Sequence, residues 1–301
     1  MEASSRVWRR EGRRGHQTGG RARARFVAGR LNWRRLAALA AATFLLARPA
    51  LAACPTAGDQ RAVVSAVTER GDIELSDGRT ARLAGLDIPD PGRGDPKTGA
   101  EARTWLASRL VGREVGLTAL TGRDDRWGRV PADIFTADAG AAPASIALGQ
   151  LAAGLARVRP EVEARDCRTE RLAAEEAARA NGLGLWADPY YGVVAASALD
   201  DLRQRDGRFA IVEGVVRRVG QGRARIYLDF GGRDGFTAVA ATRQAKAFER
   251  AGIALPGLAG ARIRVRGAMD NRFGLRMTIA APDQIERAPQ GVDEKEVRPD
   301  K

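Results

Sequence analysis

Two short runs place guanidinium and carboxylate groups at a spacing suited to phosphate chemistry. Residues Arg82 to Asp90 read RLAGLDIPD, and Asp125 to Arg129 read DRWGR. A guanidinium is planar, always charged, and pairs with phosphate oxygens through two N–H groups at once. Two such forks suit a phosphate whose charge grows in a transition state. One carboxylate in these runs can hold a hard cation, and another can take a proton from water. Simple strand alternation puts Arg82 and Asp87, five residues apart, on opposite faces. A bend is needed to bring them together, and Gly85 can supply it.

The elements around these runs are short and strand-rich. Ala62 to Val67, Ile73 to Leu75 and Thr80 to Leu86 read as strands, with an Asp77-Gly78 turn between two of them. Ala100 to Leu110 reads as a helix with Trp105, Leu106 and Leu110 turned inward. Glu114 to Leu120 and Arg129 to Phe135 are further strands. Ala144 to Gly154 and Arg168 to Asn181 are helices, the last ended by Asn181-Gly182.

RLAGLDIPD, DRWGR and the closing GLGLW at Gly182 to Trp186 resemble the staphylococcal nuclease (thermonuclease) family over roughly Arg61 to Trp186. The resemblance implies an OB barrel with packed helices, Ca²⁺ as cofactor and DNA or RNA as substrate. It implies that Arg82 and Arg129 clamp the scissile phosphate, that Asp87 binds calcium and that Asp90 is the general base. The chain departs from the family in two places. Asp90 stands where the family has glutamate and is one methylene shorter. The family's second metal carboxylate, aligned without gaps, falls on Gly71. Asp72 becomes that ligand only if a bulge, for instance at Gly71, absorbs a one-residue slip. Trp127 replaces a usual tyrosine, and either stacks on a base or packs beside Arg126.

Charge and cysteines bound the remaining possibilities. Residues 1–53 read as a signal peptide with an extended basic n-region: Arg30 to Arg35 is basic, Leu36 to Leu46 apolar, and Ala50-Leu51-Ala52 fits the cleavage rule. The apolar run is too short for a stable membrane span. This segment holds 12 Arg and 2 Glu, which is +10 of the chain's +13, so the high pI says little about nucleic acid. It also holds the single histidine, His16. Without it, Ser-His-Asp or Cys-His catalysis and His-ligated zinc are excluded. Cys54 and Cys167 pair in an oxidising compartment, periplasmic or secreted; the alternative is a lipoprotein anchor at Cys54.

The expected layout is a thermonuclease-like OB domain over 54–190, a linker over 191–207, a second OB-like domain over 208–287 and a disordered tail over 288–301. The fold class is mainly β with packed helices (α+β), with two OB-fold barrels. In the second domain three strands, a helix near Arg243 to Ala251 and two more strands follow OB order. Its VEGVV, YLDFG and RVRG segments look like the C-terminal module of some bacterial thermonuclease-like proteins. Residues 54–190 hold 18 basic and 21 acidic side chains, whereas 191–285 hold 16 and 9. Strand parity puts Arg262, Arg264 and Arg266 on one face, and Arg223, Arg225 and Tyr227 on another. Each is either a single-strand-binding surface or an ordinary solvated face. The functional expectation is metal-dependent hydrolysis of nucleic-acid phosphodiesters. Its rivals are a decayed homologue that binds nucleic acid or another polyanion, and an envelope module that binds another protein.

Overall fold

The computed structural model describes residues 54–89, 96–137 and 140–288. The expected leader, Asp90 and nearly all of the expected tail lie outside them. In chain order the elements are β1 (Gln60–Val67), β2 (Ile73–Leu75), β3 (Thr80–Leu83), β4 (Leu86–Asp87), α1 (Pro96–Leu110), β5 (Glu114–Ala119), β6 (Arg129–Thr136), α2 (Ile146–Ala152), β7 (Arg157–Val158) and α3 (Arg168–Ala180). There follow β8 (Val193–Ala195), α4 (Leu199–Arg203), β9 (Phe209–Val215), β10 (Arg218–Gln221), β11 (Arg225–Asp229), β12 (Thr237–Ala241), α5 (Ala245–Arg250), β13 (Arg262–Asp270), β14 (Arg276–Ile279) and β15 (Ile285–Arg287). No helix among the described residues is long and apolar enough to cross a membrane.

The first half is a closed barrel in the order β1-β2-β3-β6-β5. Alternating apolar residues make it possible. Val64, Ile73, Leu75, Ala81, Leu83, Val115, Leu117, Ala132 and Ile134 point inward, and α1 and α2 add Leu106, Leu110, Ile146 and Leu151. The β3–β6 pair is parallel, with Thr80 opposite Arg129 and Arg82 opposite Pro131. That pairing sets the two candidate arginines on neighbouring strands. Ser145 caps α2 by accepting the Leu148 N–H. Cys54 and Cys167 form a disulfide across 113 residues, tying the start of the described chain to the turn before α3.

The expected strand over Thr80 to Leu86 is broken in two. Gly85, at φ +75°, separates β3 from β4, and a Cβ there would lie 2.3 Å from the Arg171 guanidinium. Only glycine fits that conformation in that space. β4 then leaves the barrel and pairs with β7, putting Asp87 opposite Arg157.

The second half has its own core, including Val212, Ile226, Leu228, Phe236, Phe248, Ile263, Val265 and Met277. Its strands run β10-β11-β12-β14-β13-β9-β8, with β15 beside β13. The element order expected from sequence is present, and the structure pairs β12 with β14 in parallel, but the ladder does not close. β9 and β10 are two pieces of one chain path, broken at buried Val216. There the Val216 N–H bonds to Ala261 O and the Arg217 N–H to Asp229 O, on opposite sides. The segment expected as a linker contributes β8, parallel to β9.

Candidate active site

The DRWGR run is a turn that uses nearly every position. Asp125 Oδ1 accepts the N–H groups of Trp127 and Arg129 at 2.9 and 3.1 Å. Gly128 takes φ +74°, and the chain returns with Asp125 N–H donating to Arg129 O. The free oxygen, Oδ2, accepts from Arg129 Nε and Nη2 at 2.9 and 2.7 Å. It also lies 3.6 Å from Arg82 Nε. One carboxylate thus bridges the two arginines, each about four-fifths buried as a side chain.

Both guanidiniums carry further carboxylates. Arg82 Nη1 donates to both oxygens of Glu161, at 3.0 and 2.9 Å, and Nη2 lies 3.5 Å from Glu163. Glu161 Oε2 also accepts the Gly85 N–H at 3.0 Å. Arg129 Nη1 donates to Asp72 at 2.9 and 3.2 Å. Asp72 reaches it from a turn in which its own N–H bonds to Thr68 Oγ1. Gly71 serves that turn at φ +78° and is not a bulge; the register shift falls in β1, between Val64 and Ala66. Trp127 is exposed, with the guanidiniums of Arg126 and Arg129 at 3.9 and 4.8 Å from its ring centre.

Asp87 is placed elsewhere. Its Oδ2 accepts from Arg157 Nε and Nη2 at 3.0 and 2.7 Å. Arg157 is buried and also donates to the carbonyls of Tyr191 and Phe209. Burial pushes the Tyr191 hydroxyl up to about 12 against the opposing influence of Arg157, so this phenol stays neutral. The bend at Gly85 is therefore present, but it turns Asp87 toward Arg157 rather than toward Arg82.

A calcium site does not fit this arrangement. Among the described residues no three aspartate, glutamate, cysteine or histidine side chains are grouped so as to hold a metal ion. Asp72 and Asp87 each face a guanidinium, which repels a dication at that range.

The expected basic face on β13 is covered. Parity holds, but Arg264 and Arg266 pack against α3. Arg266 is buried on Glu175 at 2.6 Å and also on Glu286; Arg264 holds Glu213 at 2.9 Å with Glu176 and Glu286 at 3.8 Å. Arg262 stays exposed, 3.3 Å from Glu213. Arg223 and Arg225 are exposed and Tyr227 half-buried, and neither arginine has a carboxylate partner among the described residues. Asp125, Arg157, Glu161 and Glu163 carry much of the site geometry and escape a reading from spacing. Asp125 alone has a local signal, since an aspartate three residues before Gly-Arg is a turn-forming pattern.

Residues 80–188 match the family model described as staphylococcal nuclease homologue. A probable endonuclease, LCL3, of Arthroderma otae is 33% identical over 120 residues, covering 35% of this chain and 39% of the relative. The chain thus spans well under half the length of that relative. With the closed barrel and the paired arginines on β3 and β6, residues 80–188 make up most of a staphylococcal-nuclease-like domain in the first half of this chain.

Proposed function

We propose that this chain is an exported nuclease that hydrolyses nucleic-acid phosphodiesters at the Arg82–Arg129 cluster. The observation that carries this reading is the bridging of both arginines by Asp125, which fixes two guanidinium forks side by side in a partly buried site. A phosphate entering there exchanges with Glu161 and Glu163 at Arg82 and with Asp72 at Arg129. Water attacks phosphorus in line with the leaving oxygen. Asp90 takes the proton from that water, and the leaving oxygen takes one from solvent. The arginines stabilise the charge that builds on the phosphoryl oxygens. Nucleases of this family are generally calcium-dependent. Here the ion would have to displace Arg157 from Asp87, so it is assigned no step. The Cys54–Cys167 disulfide supports export.

The test is cleavage of single-stranded DNA by the full chain across a calcium series that includes a chelator. Arg82→Ala and Arg129→Ala each lower kcat by about 10²-fold or more. Absence of cleavage by the parent at every calcium level refutes hydrolysis. A second reading, a binding protein with a decayed site, is favoured by one observation: the carboxylates already saturate both arginines. It predicts salt-sensitive binding without cleavage that survives Arg82→Ala.

A further inference from the structure

A cleft of about 430 Å³ opens where the two halves meet. This volume lies in the usual range for small-ligand sites. It is lined by Asp87 to Pro89, Arg157, Arg159 and Pro160 from the first half and by Arg208 and Phe209 from the second, together with Tyr190. Resting on the nucleic-acid reading above, we propose that this cleft binds one nucleotide of a single strand, next to the scissile phosphate.

The charges favour an anion. Arg157 is spent on Asp87, but Arg208 lines the cleft with no carboxylate partner among the described residues. A guanidinium on a cleft wall without a carboxylate suits a phosphate oxygen. Arg159 is half-exposed and only 3.6 Å from Glu161, a long contact that an incoming phosphate can replace. The second half's excess of arginine, 16 basic against 9 acidic side chains over 191–285, draws a polyanion toward this side.

The aromatic walls favour a base. Tyr190 is braced by the Arg205 guanidinium 5.0 Å from its ring and by the edge of Tyr191 at 5.1 Å. Phe209 is held on Arg157 at 5.0 Å. Fixed aromatic surfaces beside a free guanidinium are the elements of sequence-tolerant single-strand binding. The cleft is also continuous with the clamp along the chain. Pro89 precedes Asp90, and Pro160 precedes Glu161, whose carboxylate holds Arg82. A strand with its phosphate at Arg82 can lay its neighbouring nucleotide here.

The measurement is anisotropy of a labelled short oligothymidylate with the full chain in EDTA, over a salt series. Arg208→Gln weakens binding about tenfold and flattens the slope of log K against log salt by about 0.7, the loss of one phosphate contact. Arg208→Lys, which keeps the charge but not the fork, falls between. An unchanged thermal midpoint in Arg208→Gln confirms that the loss is not unfolding. Equal affinity and slope in parent and Arg208→Gln overturn the proposal, as does a parent that does not bind. Arg208-dependent binding without cleavage keeps the cleft and removes the hydrolytic reading. Cleavage with KM unchanged in Arg208→Gln keeps hydrolysis and removes the cleft.

Discussion

Asp125 accepts from four donors, two backbone N–H groups and two N–H groups of the Arg129 guanidinium, with Arg82 3.6 Å away, and its acidity reflects this. Burial, the largest influence, raises its pKa, and the Arg129 side chain with the N–H groups of Arg129 and Trp127 more than reverses the effect, leaving it below the ordinary value. A folded-state value below the unfolded one near 3.9 stabilises the fold above that pH, and the gain is lost as pH falls through the folded value. Asp125→Asn therefore lowers the thermal midpoint by a constant amount from neutral pH down to about 5, and the gap narrows below about 4. A gap that widens in acid would contradict this. Glu161 offers a second residue-scale test. It holds Arg82 and the Gly85 N–H as a bound anion would. Glu161→Gln keeps the shape and removes the charge, so oligonucleotide affinity in EDTA rises about fivefold, equivalent to roughly 1 kcal/mol for a partly exposed pair.

At the scale of elements, α3 joins the halves with charge. Its buried positions Arg171, Glu175 and Ala178 recur at helical spacing, and two of the three are ionised groups. Arg171 pairs with Asp133 and donates to Ala84 O at 2.8 Å, while Glu175 pairs with Arg266 of β13. Burial raises the Asp133 carboxyl against the pull of Arg171. Removing one member of a buried pair strands the other. Arg266→Leu is thus expected to cost about 3–5 kcal/mol in urea unfolding, and Glu175→Leu added to it recovers part of that cost. Independent, additive losses would show that the pair is not coupled. The same contact explains why the arginines of β13 do not form an open nucleic-acid face. Alternation places them together, but nothing in that strand says that a helix from the other half lies across it.

At the scale of the molecule, the described residues belong to one compact unit with two cores. Arg157 ties Asp87 of the first half to the Phe209 carbonyl of the second, so the site geometry depends on how the halves dock. The disulfide closes a long loop around the first half. Replacing Cys54 and Cys167 with serine is expected to cost about 2–5 kcal/mol, read as a lower urea midpoint. No change would show that the bond is not formed in the folded protein.

The sequence by itself determined the barrel, because alternating apolar residues and turn glycines act locally and RLAGLDIPD, DRWGR and GLGLW are contiguous. It also placed Arg82 and Arg129 on strands of that barrel and made Cys54 and Cys167 a candidate pair. Tertiary structure alone decided which carboxylate faces which arginine. Asp72 reaches Arg129 across 57 residues, Asp87 reaches Arg157 across 70, and Glu161 reaches Arg82 across 79. Ion pairing has no periodicity along the chain. It depends on distance and exclusion of water, and both are fixed only when strands close, Gly85 bends and the two halves pack.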